Sequence, residues 1–155
     1  MVARGRDACK EEALWEYDQA IGMTATDFLK ASTERSAFYQ HMLELLSRFD
    51  MLVLPSAQVW PFAIEMRWPH VIETPNGPVS MDTYHRWMEV TLYASLAGLP
   101  ALNVPCGFNS QGLPMGMQLI GQARGDLAVI ELGLAYEEAA SDWLARRPVP
   151  EKARG

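Results

Sequence analysis

The chain has 155 residues, of which 49% are hydrophobic and 21% charged, a composition typical of a packed globular protein rather than a disordered one. Its formal net charge of −6 argues against a nucleic-acid partner, because a phosphate backbone is neutralised by clustered Lys and Arg. The two cysteines, Cys9 and Cys106, do not make a disulfide framework, and we see neither a secretory apolar stretch after Met1 nor an apolar run of membrane length. We therefore expect a cytoplasmic protein with a substantial core and no membrane partner.

The first half of the chain predicts a helix, a strand and a long loop. Thr24 followed by Asp27 resembles a capping box, and the apolar residues behind it predict a helix over residues 25–49 with one buried face. These apolar residues are Phe28, Ala31, Phe38, Met42, Leu45 and Phe49. The run MLVL at 51–54 predicts a short buried strand. Residues 55–80 are rich in proline and hold no steady period, so we expect an irregular loop of the kind that is often functional.

A second helix is predicted after this loop. Ser80 or Asp82 is a suitable cap for a helix running through Leu96. Gly98 with Pro100 just beyond it is a typical helix C-terminal signal.

The last third of the chain predicts a hairpin and a helix. ALNV (101–104) and MGMQLI (115–120) have the composition of strands, and the turn residues between them favour a hairpin. Asp126 is then expected to cap a helix to about Leu144.

This order of elements predicts an α/β fold in which helices pack on a mixed sheet. About three strands are predicted, and three strands with apolar residues on both faces leave edges that a complete domain would pair or cover. We therefore expect residues 1–155 to be a single but partial domain, with frayed ends at residues 1–10 and 146–155.

The segment SLAGLPALNVPCGFNSQGLPMGMQLIG (95–121) resembles the C-terminal signature region of the amidase signature family. The family pattern reads approximately N-L-x-G-L-P-A-x-x-V-P-x-G-F, a turn, and G-L-P-x-G-x-Q-x-I-G. The matching residues are Gly98, Leu99, Pro100, Pro105, Gly107, Phe108, Gly112, Leu113, Pro114, Gly116, Gln118 and Gly121. Ser95 departs from the pattern, because Asn is common there.

The resemblance extends over about residues 11–145. RFDMLVLPSAQVWPF (48–62) and GDLAVIELGLAYEEA (125–139) resemble other segments of the family, and MDTYHRWMEV (81–90) resembles a helix of one bacterial subgroup of these amidases. The resemblance implies the C-terminal part of an α/β/α fold with a mixed sheet. It also implies a serine-hydrolase type of enzyme that cleaves carboxamides to a carboxylate and ammonia or an amine.

The catalytic residues of that family find no match in this chain. In the family a Lys and two Ser act together, with the serines in a loop rich in Gly and Ser, because a hydroxyl needs a neighbouring base to become a strong nucleophile. Here no two serines are adjacent or embedded in glycines, and Lys10, Lys30 and Lys152 lie in predicted helices or the tail. The resemblance therefore implies a chain that is inactive alone.

Two functions are compatible with these observations. The chain is either a piece of an amidase whose N-terminal portion supplies the Ser-Ser-Lys machinery, or a non-catalytic relic or interaction module that associates through exposed sheet edges. The expected partner is that N-terminal portion or a second copy of the chain, and a small amide is a substrate only of the complete enzyme. No cofactor or metal is expected.

Five residues are candidates for a wall of an amide-substrate pocket, and packing in the core is the alternative role for each. They are Trp60, Phe62, Tyr84, Trp87 and Met88.

Other polar residues favour ordinary structural roles. Cys106 is expected to be a small buried hydrophobe rather than a nucleophile paired with a histidine. Ser56 is expected to cap a turn rather than to attack a substrate. His85 and Glu89 are spaced as an exposed pair on one helix face rather than as metal ligands.

Overall fold

The computed structural model describes residues 5–146. The helices are α1 (Glu11–Ile21), α2 (Ala25–Leu46), α3 (Tyr84–Trp87), α4 (Leu92–Ala97), α5 (Asp126–Ala139) and α6 (Ser141–Leu144). The strands are β1 (Met51–Pro55), β2 (Val71–Thr74), β3 (Gly77–Ser80), β4 (Ala101–Phe108) and β5 (Pro114–Gly121). Short 3-10 turns span Arg6–Ala8 and Glu89–Thr91. Residues 1–4 and 147–155, most of the predicted frayed ends, lie outside the described residues.

The main sheet has the strand order β1-β5-β4, and both pairings are antiparallel. The predicted hairpin is confirmed as β4 and β5, and its register pairs Ala101 with Ile120 and Phe108 with Pro114. The α/β class is confirmed. Among the described residues the strands pair only antiparallel, so the parallel pairs expected of a mixed sheet have no counterpart in this part of the chain.

The core lies on both faces of this sheet. Neighbouring residues of a strand point to opposite faces, so Leu119 and Ile120 belong to different clusters. Ile120 packs with α2 and α4, and Leu119 packs with Val129 of α5. Helices therefore cover both faces, which is the predicted α/β/α layering.

Helix α2 starts at the predicted capping box, but a smaller part of it is buried than predicted. The Thr24 hydroxyl accepts a hydrogen bond from the Asp27 backbone N–H, and the Asp27 carboxylate accepts one from the Thr24 backbone N–H. Met42 and Leu46 are buried, whereas Phe28 is 67% exposed. The prediction of one continuous buried face was wrong, because the sheet and α4 cover only the C-terminal part of the helix.

Residues 55–80 are not irregular throughout. Strands β2 and β3 form a second, two-stranded antiparallel sheet in which Thr74 faces Gly77. Gly77 has a positive φ of 104°, a conformation that favours glycine. The prediction missed this hairpin because each strand has only four residues and β3 contains Pro78.

The second predicted helix is interrupted. Thr83, rather than Ser80 or Asp82, holds the N-cap of α3, and its side chain accepts a hydrogen bond from the Arg86 backbone N–H. A 3-10 turn at Glu89–Thr91 separates α3 from α4. The predicted end is confirmed, since Gly98 adopts the left-handed conformation with a φ of 63°.

The last helix is shorter than predicted. Gly125, and not Asp126, occupies the N-cap of α5, and Asp126 lies in the first turn. The helix ends at Ala139, and α6 carries the chain on to Leu144.

Candidate functional site

The loop that follows β1 forms one side of a cavity of about 340 Å³. Trp60 and Phe62 from this loop and Trp87 from α3 provide its aromatic side, and the hairpin provides the opposite side through Asn103 and Met115. We call this space the aromatic cavity. It has no charged side chain in its lining.

Hydrogen bonds join the start of this loop to the sheet and to the 3-10 turn. The Ser56 backbone N–H donates to the Gly116 carbonyl oxygen at 2.9 Å, so the pairing of β1 with β5 extends one residue into the loop. The Gln58 side-chain oxygen accepts a hydrogen bond from the Val90 backbone N–H at 3.1 Å. These contacts position the residues that precede Trp60.

Gln118 in the central strand β5 also connects the end of β1 with the 3-10 turn. It is 8% exposed, and its amide nitrogen donates to the carbonyl oxygens of Pro55 at 2.8 Å and Val90 at 3.2 Å. One buried side chain thus joins the end of β1 to the turn between α3 and α4.

Gly116 lies where the cavity meets the hairpin. A Cβ atom at this position would stand 2.6 Å from the Ser56 Oγ and 3.0 Å from the Asn103 Oδ1. The absence of a side chain at Gly116 therefore leaves room for both polar groups beside the aromatic cavity.

The structure brings together three of the five predicted pocket residues. Trp60, Phe62 and Trp87 line the aromatic cavity, and the rings of Phe62 and Trp87 meet edge to face at 5.7 Å. Tyr84 touches Trp87 with ring centroids 6.4 Å apart but lines a different cavity. Met88 lines neither cavity, and its carbonyl oxygen accepts a hydrogen bond from the Thr91 hydroxyl at 2.8 Å. A substrate-binding role for any of the five stays a prediction.

The second cavity, of about 230 Å³, lies between α1 and α3 and combines carboxylates with aromatic rings. Arg67 forms ion pairs with Glu11 and Glu12 and stacks over the ring of Trp68. The pKa of Glu12 is lowered, first by a hydrogen bond from its own backbone N–H and then by Arg67. Glu11 and Glu12 therefore already have a cationic partner, and the third carboxylate of the lining, Asp82, lies 4.0 Å from the Arg86 Nε.

The prediction that His85 pairs with Glu89 was wrong. His85 Nε2 lies 2.9 Å from the Glu16 carboxylate of α1. The reason is that α3 ends at Trp87, so His85 and Glu89 are not on one continuous helix. Within residues 5–146, no group of three or more His, Cys, Asp and Glu side chains is arranged to hold a metal ion.

A third cavity, of about 850 Å³, lies between β4 and α5 and contains none of the five predicted residues. Its lining is mainly apolar, with Glu137 and Arg146 as its charged members. The Tyr136 hydroxyl donates to the Pro105 carbonyl oxygen at 2.7 Å beside it. Burial, and secondarily the nearby Cys106, raises the pKa of Tyr136.

Cys106 is exposed, so the prediction of a buried small hydrophobe was wrong. The strand register pairs Pro105 with Gly116 and Gly107 with Met115, which leaves Cys106 as the extra residue of a β-bulge. A bulge changes which side chains face the core, and the alternation of residue types in the sequence does not reveal it.

Sequence reasoning missed the roles of Gln58 and Gln118. Gln118 does carry a signal, because it is the one polar residue in the run MGMQLI and is expected to need buried partners there. Gln58 lies in a loop without a regular pattern, and nothing local distinguishes it.

A three-layer α/β protein with an uncharged aromatic cavity at a strand end is the class that the fold and this geometry define. The family model for amidases matches residues 7–130, and the chain belongs to that family.

The relatives and solved structures agree with this assignment. The chain is 33% identical over 134 residues to a glutamyl-tRNA(Gln) amidotransferase subunit of Cyanothece sp., covering 85% of this chain and 25% of that protein. The corresponding protein of Nostoc sp. is 32% identical over 144 residues, which cover 93% of this chain and 27% of that one. The chain thus spans about a quarter of the length of these curated relatives.

A bacterial aryl acylamidase of the amidase signature family superposes with a TM-score of 0.73 at 25% identity, covering 93% of this chain and 30% of that enzyme. A crystal structure described as an amidase gives a TM-score of 0.73 at 23% identity, covering 85% of this chain and 29% of that one. Among the described residues, no helix is both long and apolar enough to cross a membrane.

Proposed function

We propose that this chain forms the C-terminal portion of an amidase-signature hydrolase and contributes a wall of its substrate pocket. The complete enzyme converts a carboxamide to a carboxylate and ammonia or an amine. The observation that carries the proposal is the aromatic cavity, because Phe62 and Trp87 meet in it directly beside the signature residue Gly116. A concave, mostly apolar site with a few polar groups is typical of small-molecule binding.

In this proposal, the residues that hydrolyse the amide lie outside this chain. The resemblance to the family implies two serines and a lysine that cooperate, and no serine here can be matched to them. Ser56 is the serine beside the aromatic cavity, but its neighbours at Gly116 and Asn103 include no base that could take its proton. The partner that we propose is therefore a polypeptide with the N-terminal portion of an amidase, including its Ser-Ser-Lys residues.

The first test of this proposal measures amide hydrolysis. The 155-residue chain alone is expected to release no ammonia from simple carboxamides, whereas co-purification with the product of an adjacent reading frame that encodes a Lys and a Gly-Gly-Ser-Ser-like loop is expected to restore turnover. The control replaces the nucleophilic Ser of that partner by Ala, which should abolish turnover without preventing the complex. Turnover by the 155 residues alone would contradict the assignment of the chemistry to another segment.

A non-catalytic interaction module is the second candidate function. The observation that favours it is the exposure of large apolar side chains on α1, α2 and α5, because contiguous apolar patches mark interaction sites. A stable complex with the N-terminal portion that remains inactive on all amides would favour this module over the enzyme part.

A further inference from the structure

The polarity of the aromatic cavity restricts what it can bind. Its lining consists of aromatic, aliphatic, proline and glycine residues together with the side chains of Ser56 and Asn103. A charged group that entered this cavity would lose hydration without gaining an ionic partner, which is unfavourable. The cavity therefore favours an uncharged ligand.

The arrangement of the aromatic side chains indicates which chemical group of a ligand packs against them. Phe62 and Trp87 are edge to face at 5.7 Å, and Trp60, which is 43% exposed, lies in the same lining. Aromatic side chains in such clusters accept a further ring in offset or edge-to-face contact. A volume of about 340 Å³ lies at the lower end of the range for small-molecule pockets, which suits one ring with a short substituent.

The polar groups lie at one place in this cavity. Ser56 Oγ and Asn103 Oδ1 are 2.6 and 3.0 Å from the same point, the position of a Cβ on Gly116. A hydroxyl and a side-chain amide offer both donors and acceptors, which matches the carbonyl oxygen and the N–H₂ group of a carboxamide.

We infer that the aromatic cavity binds an uncharged aromatic carboxamide, with the ring against Phe62 and Trp87 and the amide toward Ser56 and Asn103. This inference rests on the proposed function and names the substrate class of the same pocket. It excludes substrates whose group next to the amide is an ammonium, an amidinium or a carboxylate.

The test is a titration of the full 155-residue chain followed by the indole N–H signals in NMR spectra. Benzamide is the probe, acetamide has the same amide without the ring, and benzamidine has the same ring with a positive charge. Benzamide is expected to shift the signals of Trp60 and Trp87 in a saturable way, and the other two probes are expected to bind at least about tenfold more weakly. Trp15 and Trp68, which line the second cavity, serve as internal references.

A pair of variants in one loop provides the matched control. Phe62→Ala is expected to weaken benzamide binding by about three- to tenfold, because it removes one aromatic contact. Ile64→Ala removes an apolar side chain that is 94% exposed and lies outside the cavity lining, so binding should not change.

Three results would overturn the inference. These are no saturable shift with benzamide, binding of acetamide or benzamidine as tight as that of benzamide, or shifts confined to Trp15 and Trp68. None of them depends on turnover. If the completed enzyme hydrolyses charged or aliphatic amides while benzamide fails to bind, the substrate class is wrong and the proposed function stands. If benzamide binds but the assembled enzyme is inactive on every amide, the proposed function is the part that fails.

Discussion

At the scale of single residues, Gln118 shows how a family motif residue acts through structure. It lies in the central strand β5 between the two edge strands, where a polar side chain needs partners inside the protein. Its amide nitrogen satisfies the carbonyl oxygens of Pro55 and Val90. These two residues flank the elements that carry Trp60 and Trp87, so Gln118 positions the aromatic cavity without lining it.

Replacing this side chain by an apolar one of similar size tests that role. Gln118→Leu is expected to lower the free energy of unfolding by about 1–3 kcal/mol, because two carbonyl oxygens lose their donor inside the protein. Urea denaturation followed by circular dichroism measures the change. Gln111→Leu, at an exposed position of the hairpin turn, is the matched control and should change stability by less than about 0.5 kcal/mol. Equal effects of the two variants would contradict the role of Gln118.

The sequence indicates which residues are candidates for the site, but it does not reveal how all of them are arranged in space. Trp60, Phe62 and Trp87 line one cavity, and their role as the wall of a substrate pocket stays a prediction. Tyr84 and Met88 do not line it: Tyr84 lines the second cavity, and Met88 follows the end of α3 at Trp87. The exposure of Cys106 was not predicted because a bulge depends on how the two strands pair, and that information is absent from either strand alone.

At the scale of elements, the capping box of α2 is a local device that the sequence predicts correctly. The Thr24 hydroxyl donates to the Asp27 carboxylate at 2.7 Å and accepts a hydrogen bond from the Asp27 backbone N–H at 3.2 Å. Because the N-terminal half of α2 has little tertiary cover, its start depends more on the cap than on packing.

Removing the cap therefore destabilises the chain. Thr24→Ala is expected to lower the free energy of unfolding by about 1 kcal/mol at about pH 7, measured by thermal or urea denaturation. Thr33→Ala is the matched control, because Thr33 lies inside the same helix and its hydroxyl bonds to the Leu29 carbonyl oxygen of the preceding turn. That change should be neutral or slightly stabilising.

The pH dependence of this cap has a defined sign. Hydrogen bonds from the side chain and the backbone of Thr24 lower the pKa of Asp27. A carboxylate whose folded pKa is lowered adds stability above its unfolded pKa, about 4, and loses it as the pH falls through the folded pKa. Part of the difference between wild type and Thr24→Ala should thus disappear on acidification, and in an Asp27→Asn background it should not. A difference that is constant from about pH 7 to about pH 2 would contradict this account.

Several elements set by local signals were predicted, whereas the 3-10 turn before α4, which distant residues hold, was not. The cap at Thr24, the left-handed Gly98 and the turn between β4 and β5 are properties of a few adjacent residues. In contrast, the 3-10 turn at Glu89–Thr91 is held by Gln58 and Gln118, which are remote in sequence. The start and end signals alone therefore predicted one continuous helix where the tertiary hydrogen bonds favour two.

At the scale of the whole molecule, helix α5 carries apolar side chains on more than one side. Val129 and Gly133 are buried, while Leu127, Ile130 and Leu134 form an exposed apolar stripe, of which Ile130 and Leu134 also line the cavity beside β4. A helix with apolar residues on both sides is typical of an element covered by further protein.

This stripe leads to a prediction about association. Leu127, Ile130 and Leu134 are 68%, 51% and 62% exposed, and they recur at helical spacing. Without another chain to cover them, the protein is expected to self-associate, so its mean mass in sedimentation equilibrium should rise above 17.3 kDa with concentration. The double variant Leu127→Lys/Leu134→Lys should shift the mass toward that of a monomer, because each lysine keeps its charge in water.

A control with the same added charge separates the stripe from net charge. Ala128→Lys/Ala135→Lys changes two exposed residues of α5 that lie about 80–100° around the helix from Leu127. This variant should associate as the wild type does. A wild type that stays monomeric at every concentration would mean that exposed apolar side chains on α5 do not drive contact between copies. If both double variants became monomeric, charge repulsion rather than loss of the stripe would explain the effect. Only the predicted difference between them identifies the apolar stripe of α5 as the surface that another amidase segment or a second copy covers.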